Sequence, residues 1–486
     1  MDAQERIIEQ RKAKHKKTAF IIKCIIALIV LCIVVLAVIL IKAGFIDGQV
    51  DETIRNTKST LTGKSADHVA VSGEAVTEGS SETEGAPDHT RAALASAKLL
   101  AQQYDYDGAI ALLEAESDFN TNTQFQNAVG SYREEKQNLK AYPAGQVTHI
   151  FFHSLIVDTS LAFDADEDAD GYNQYMVTIR EFNSIIQQMY DKGYVMISPH
   201  DMCTVNEDGT VTAKDIYLPD GKIPFVLSQD DVSYYHYMDG DGFAQKLIVD
   251  ENGEIKNTYA EADGTVCTGD YDLVPLVDDF VREHPDFSYH GHKGVIALTG
   301  YEGVLGYRTD EVYKTREAGR VTEYQQKFFD NNPDFDFDSE AAQAKQVADA
   351  MKAEGWEFAS HTWGHIDPVN AGYDKVVTDT ERYKTWMEPI IGPTDILIFA
   401  FGADIGDWQN YSSDNQLFTY YKSQGFNIFC NVDSSRTNWV QFGDNYMRQA
   451  RRNIDGYSMS HRADSLSDLF NVSEAWDSSR PQVPDL

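Results

Sequence analysis

Two short stretches hold the side chains best suited to chemistry. 'FASHTWGHIDP', residues 358–368, sets His361 and His365 four apart. 'IPFVLSQDDVSYY', residues 223–235, ends an apolar run in two adjacent carboxylates, Asp230 and Asp231. Imidazoles four apart share a helix face and can grip one metal ion there. This pair, however, follows an apolar strand and has Gly364 inside it, so a tight turn has to do what a helix would do elsewhere. Neighbouring strand residues face opposite ways. At the end of a strand one carboxylate can therefore reach a cation while the other faces a water. Two imidazoles and one carboxylate with open positions suit a hydrolytic divalent ion. Taken by themselves the same residues also fit two unconnected loop histidines and an Asp-Asp pair that serves as a helix cap or a solvated turn.

The elements that must position these groups begin at Val147. The segments 'VTHIFFHSLI', 'VMIS', 'KIPFVLS', 'KGVIALTG', 'WEFAS', 'TDILIFAFG' and 'FNIFCNV' read as strands. Between them, 'MVTIREFNSIIQQMYDKGY', 'LVPLVDDFVREHP' and 'EAAQAKQVADAMKAEG' carry apolar residues at helical spacing, the first and last closed by Gly193 and Gly355. Strands alternating with helices imply parallel pairing, in a (β/α) barrel or a doubly wound sheet. His361 then falls at the C-terminal mouth of the strand 356–360, where barrel enzymes assemble their sites. Residues 232–272 break the rhythm and read as a β-hairpin insertion turning at 'DENGE'.

With those residues in place, the chain resembles the polysaccharide deacetylases, the NodB-homology or carbohydrate esterase family 4 group, over about residues 147–470. 'LSQDDV' is similar to the family's strand ending in Thr-Phe-Asp-Asp-Gly, and 'HTWGH' fits its His-Ser/Thr-x-x-His motif. 'HIFFHSLI' resembles the first strand of the membrane-anchored, exopolysaccharide branch, and 'FAFGADIGDW' sits where the third motif walls the groove. The resemblance implies an α/β fold of the distorted (β/α) barrel type. It implies hydrolysis of N-acetyl groups on an extracellular polysaccharide or peptidoglycan, with Asp231, His361 and His365 holding a divalent metal. Zinc is the first expectation, with cobalt, manganese and nickel as alternates. Asp230 is expected as the base and His461, in 'SMSHRADSL', as the acid. Trp363 and Trp408 are expected to stack on sugar, His153 to face the pocket, and an N–H of 'FAFGA' to steady the oxyanion.

Two departures stand against the family pattern. Val232 replaces the motif-one glycine, and 'FAFGADIGDW' lacks the arginine that orients the base. Arg308, Arg451 or Arg452 is expected to stand in for it. A glycan-binding module that has lost catalysis, or a metal-dependent esterase acting on another acyl group, are the competing expectations.

The remainder of the chain frames this domain. Residues 24–41, 'CIIALIVLCIVVLAVILI', are uninterrupted and apolar, and 'RKAKHKK' precedes them. A run of roughly 20 such residues spans a bilayer, and the basic flank keeps its end cytoplasmic. The expected order is a cytoplasmic tail at 1–17, an anchor at 18–44, a flexible Ser/Thr/Gly/Glu linker at 45–90, a helical hairpin at 91–142, and the deacetylase domain at 147–486 on the outer face of a bacterial membrane. The hairpin, two helices around 'YDYDG', resembles one tetratricopeptide unit. It is read as a stalk packed on the next domain, with a peptide partner as the other reading. At 486 residues and a net charge of -36, the chain repels phosphate backbones, which excludes nucleic acid as a partner. Its 5 cysteines include no CxxC pair, so no cysteine-built metal site is expected. 'DADEDADGY', residues 164–172, imitates a calcium loop, but counted from Asp166 its twelfth position is Val177 rather than Glu, and the EF-hand pattern fails.

Overall fold

The computed structural model describes residues 88–485. The apolar run 24–41 read as an anchor, the 1–17 tail and linker residues 45–87 lie outside this range. Among the described residues no helix is long and apolar enough to cross a membrane.

Seven parallel strands close into a ring among the described residues. They are β1 (Thr148–Phe152), β2 (Ile223–Asp230), β3 (Val295–Leu298), β4 (Glu357–Ser360), β5 (Ile396–Ile398), β6 (Ile428–Val432) and β7 (Met447–Asn453). Each pairs with the next, and β7 returns to β1 through Arg452 opposite Ile150. Closure selects the (β/α) barrel over the open doubly wound sheet. 'VMIS', expected as a strand of the main series, forms Tyr194–Met196, which lies beside β2 outside the ring.

Strand side chains alternate between the outside and the lumen. Outward residues such as Phe225, Leu227, Ile296 and Phe358 pack with Phe182, Val277 and Val347, from the helices α4 (Ile179–Asp191), α5 (Leu273–Glu283) and α6 (Phe337–Ala353). Thr178 opens α4 with a reciprocal cap: its hydroxyl accepts from Glu181 N–H while the Glu181 carboxylate accepts from Thr178 N–H. Inward residues are apolar near the N-terminal strand ends, where Val295, Ile396, Ile428 and Met447 are buried together. Toward the other end they become polar: His149, Ser228, Asp230, Gln449 and Arg451 are all buried.

Three helices stand where the sequence predicted a hairpin of two: α1 (Asp88–Gln102), α2 (Tyr106–Glu114) and α3 (Thr123–Gln137). The third begins at Asn122, whose side chain accepts from Gln124 N–H and Phe125 N–H. Its charged, weakly patterned sequence hides it from a periodicity reading. Ala97, Ala109, Leu113, Phe125 and Val129 share one buried cluster with the lower lumen residues. Tyr104 stacks on Tyr289 at 6.2 Å and donates to the Asp286 carbonyl at 2.8 Å. The three helices thus floor the barrel.

The insertion contains one strand more than expected. Lys246–Val249, Ile255–Ala260 and Val266–Gly269 form an antiparallel sheet. 'DENGE' makes the first turn, and a second Asp-Gly turn, with Gly264 at φ +86, makes the other.

Candidate active site

β2 and β4 deliver the four expected residues to one place. Asp230 is the last residue of β2, and Asp231 takes a left-handed conformation (φ 62) that ends the strand, a geometry Asp tolerates better than most residues. Ser233 N–H closes this turn onto the Asp231 carbonyl at 2.7 Å. Val232, in place of glycine, turns inward and is fully buried in the core, so the departure from the motif is absorbed by packing. Beyond β4, Thr362 (φ 64) and His365 (φ 47) bend 'HTWGH' into a tight loop. Asp379, on the helix α7 (Tyr373–Trp386), accepts the N–H groups of Trp363 and Gly364 at 2.7 and 2.8 Å, and the Thr362 hydroxyl accepts from Ile366 N–H at 2.8 Å.

One ligand atom from each of Asp231, His361 and His365 lies within 4.8 Å of the others. Their hydrogen bonds leave the right atoms free. His361 Nδ1 faces the Ile398 carbonyl at 2.9 Å. A carbonyl only accepts, so Nδ1 carries the proton and Nε2 keeps its lone pair. Asp231 Oδ1 accepts from Tyr235 at 2.8 Å, while Oδ2 lies 3.8 Å from His365 Nε2. Burial holds the His365 imidazole below its usual value even against the pull of Asp231, which favours the neutral ligand form. Two imidazoles and a carboxylate, with His361 and Asp231 already oriented by an outer partner, fit a divalent cation.

Asp230 belongs to a second, interlocked arrangement. Arg451 on β7 grips it with both arms, Nη1 to Oδ1 at 2.7 Å and Nη2 to Oδ2 at 2.9 Å. Burial would raise this carboxyl, but the Arg451 guanidinium and the nearby His361 hold it well below the usual carboxylate range. Arg451 also donates to Ser228 Oγ at 3.2 Å, and Ser228 meets His149 Nε2 at 2.9 Å. His149 Nδ1 in turn meets Gln449 Oε1 at 3.1 Å, and Gln449 Nε2 donates to the Val147 carbonyl. Burial and the Arg451 charge push His149 down to about 3, so it stays neutral and can accept the Ser228 proton. A hydrogen-bonded column therefore runs up the lumen and fixes the arginine.

The other expected site residues fall elsewhere. The guanidinium that holds Asp230 is that of Arg451. Arg308 clamps the loop beyond Asp231 instead, donating to the Ser233 and Tyr234 carbonyls at 3.3 and 2.8 Å. Arg452 points outward to Asp468. Trp363 is half-buried: its ring lies 4.1 Å from the Arg382 guanidinium and occupies the space a side chain on Gly300 would need. Trp408 stands edge-on to Trp439 at 5.1 Å. Neither tryptophan lines the cavity beside Asp231. His461 stacks on Tyr457 at 4.5 Å, approaches Asp485 at 3.2 Å and lines a different hollow with Ser434 and Arg462. The imidazole that does line the cavity is His153, whose Nδ1 donates to the Tyr175 carbonyl at 3.0 Å, leaving Nε2 as the nitrogen free to exchange a proton. Phe401 was not singled out from the sequence. It has φ 58, is 71 % exposed, and lays its ring edge-on against His365 at 4.4 Å. Its loop is anchored by Asp404, which pairs with the buried Arg448.

Residues 328–414 match the polysaccharide deacetylase family model. The matched deacetylase segment runs from before α6 through β4, 'HTWGH' and α7 to the loop of Phe401 and Trp408, so it contains both histidines of the cluster and lies downstream of Asp230 and Asp231. A polysaccharide deacetylase domain points to a hydrolase that acts on amide bonds of an acetylated glycan. No curated protein and no solved structure matches the chain.

Proposed function

We propose that this chain is a metal-dependent deacetylase that removes N-acetyl groups from an extracellular glycan. Asp231, His361 and His365 would hold the cation, Asp230 would act as base and His153 as proton donor. The observation that carries the reading is the meeting of a β2 carboxylate with two β4 imidazoles beside a second carboxylate kept ionised by Arg451. A divalent cation bound there would supply Lewis acidity to the acetamide carbonyl and lower the pKa of water.

The chain's own residues account for the proton movements. Asp230, ionised despite its burial, takes the proton of water as the oxygen attacks the acetamide carbon. A carboxyl held this low is a weak base, which is why an acidified water is needed as its partner. The Asp230 oxygens each retain a lone pair beyond those used by Arg451, and Oδ2 lies 3.8 Å from His361 Nε2, on the side of the metal cluster. Protonated His153, held through Nδ1 by the Tyr175 carbonyl, delivers the proton that lets the amine leave. His461, tied to Asp485 in a separate hollow, is replaced in that role. The loop of Phe401 walls the site next to His365 and is the source we assign to an oxyanion N–H.

A glycan-binding module without turnover loses one of its two supports, because Arg451 already occupies the place of the missing arginine. An esterase on another acyl group would use the same residues and differs only in substrate. Zinc is the first candidate for the ion. Export of this domain on a single-pass anchor rests on the sequence at residues 11–41. The test is acetate release from N-acetylglucosamine oligomers and peptidoglycan fragments, compared with Asp230→Asn and His361→Ala. Equal release by all three proteins defeats the proposal, and release from an O-acetylated substrate alone selects the esterase.

A further inference from the structure

A cavity of about 340 Å³ opens beside Asp231. Its walls are aromatic and include Tyr172, Tyr175, Tyr235 and Tyr237. Tyr235 and Tyr237 stack at 5.6 Å, and Tyr237 stacks in turn over Tyr172 at 6.3 Å, so these rings cover one another's faces and form a rigid wall from which Tyr175 and Tyr237 stand exposed. Among the described residues no lysine or arginine lines the cavity; the basic side chain there is His153. Asp168 lines the cavity as well.

The Asp168 carboxylate stands just before the short helix Ala169–Tyr175, where a carboxylate would ordinarily bond back to the helix, yet it makes no such bond. Asp166 does that work, its Oδ1 accepting the N–H groups of Asp168 and Ala169 at 3.0 and 3.1 Å. Among the described residues no lysine or arginine pairs with Asp168. Partial burial, reinforced by Asp166 and Glu167, raises its carboxyl, as expected for a negative group lacking a cation. A half-buried, unpaired carboxylate in a cavity walled by tyrosines is an environment that a protonated amine would relieve, through a charge-assisted bond to the carboxylate.

Resting on the deacetylase reading, we propose that this cavity is a subsite for a protonated amino sugar, so that a partly deacetylated glycan binds in preference to a fully acetylated one. The enzyme's product is such an amine. Sugar whose acetyl group has already been removed would sit beside Asp168 while a neighbouring acetylated unit lies at Asp231 and His153 of the same cavity, and deacetylation would proceed in runs along the chain.

The experiment is calorimetric binding of glucosamine tetramer and N-acetylglucosamine tetramer to the wild-type protein, Asp168→Asn and Asp168→Lys at mildly acidic pH, with acetate release measured in parallel. The wild type should bind the cationic tetramer more tightly. Asp168→Asn should weaken that binding about tenfold, the size of one charge-assisted hydrogen bond, while the neutral tetramer changes by much less. Asp168→Lys should reverse the preference. The subsite is overturned if the variants weaken both tetramers alike, if the cationic tetramer binds all three proteins equally, or if neither tetramer binds. Acetate release with no Asp168-dependent preference removes the subsite and leaves the enzyme. A preference that follows Asp168 without acetate release keeps the subsite and removes the enzyme.

Discussion

Replacing Arg451 by Met tests the electrostatics on which the proposed base depends. The two side chains are 1 % and 3 % exposed, and their two bonds of 2.7 and 2.9 Å are both charge-assisted. Methionine keeps much of the packing volume and leaves the Asp230 carboxylate buried without its partner. Breaking a buried pair in this way costs about 3–5 kcal/mol, against a total stability of about 5–15 kcal/mol for a typical domain, so the variant should fold but unfold at much lower urea. The pH dependence follows from the direction of the shift. In the wild type the Asp230 carboxyl is depressed, so its contribution is present above the ordinary carboxylate pKa and is lost only as pH falls through the depressed value. In the variant, burial, the largest influence, is opposed only by His361 and His153 and raises the carboxyl, so the variant recovers stability as pH falls through that raised value, by about 1.4 kcal/mol per unit. The gap between the two proteins should therefore narrow from neutral to mildly acidic pH. Urea titrations at both pH values, together with Asp230→Asn and the double variant, give the coupling energy. The Arg451→Met change should cost far less in a protein that already carries Asp230→Asn. An Arg451→Met protein as stable as wild type at neutral pH, or a cost unchanged in the Asp230→Asn background, would refute the reasoning.

Three further outcomes can be checked. Zinc affinity measured by competition with a chromogenic chelator should be abolished by His361→Ala and fall about 10–100-fold in Tyr235→Phe, which removes the hydroxyl that orients Asp231 and also meets Thr299; unchanged affinity in both rules out the cluster as a metal site. His153→Gln should lower acetate release about 10²–10⁴-fold, the usual range for a proton donor, whereas His461→Gln should change it by a few-fold at most, and the opposite order would return the acid to His461. Away from the site, burial lowers His200 but its bonds to Asp395 (2.9 Å) and Glu357 (3.1 Å) lift it to about 10. A raised pKa contributes fully below the unfolded value of about 6.5 and is lost as pH climbs through the folded one. The stability difference between wild type and His200→Gln should hold steady in mild acid and close in the alkaline range, and a difference that widens with pH contradicts this pairing.

The parts of the site legible in the sequence are those where local pattern and chemistry coincide. β2 and β4 are short apolar runs that end in their functional residues, so 'LSQDD' and 'FASHTWGH' announced both the strand and what it carries. β7 did not announce itself. 'MRQARRN' looks like a solvated, charged stretch, yet each arginine finds a partner: Arg451 meets Asp230 in the polar lumen, while Arg448 and Arg452, on the other face, meet Asp404 and Asp468. Partners separated by 221 residues in the chain leave no local trace. Arg451 could be named from sequence only as one of three arginines. His153 and His461 are likewise indistinguishable in the sequence, since only the folded chain separates an imidazole lining the cavity from one tied to Asp485. Trp363 shows the same limit, because ring size and a loop position fit stacking on sugar as well as they fit filling the gap over Gly300.

The floor made by α1–α3 bears on how this molecule can be cut. A break near residue 147 looks natural on paper, since a helical stretch gives way there to alternating strands. Cleaving at that point would strip Ala97, Leu113 and Phe125 from the ends of Val295, Ile396 and Met447, leaving an open, greasy tube whose exposed rim invites self-association. Any soluble version of the catalytic part should begin ahead of Asp88, and a protease that nicks the α3–β1 junction would disable the enzyme from the side opposite its chemistry.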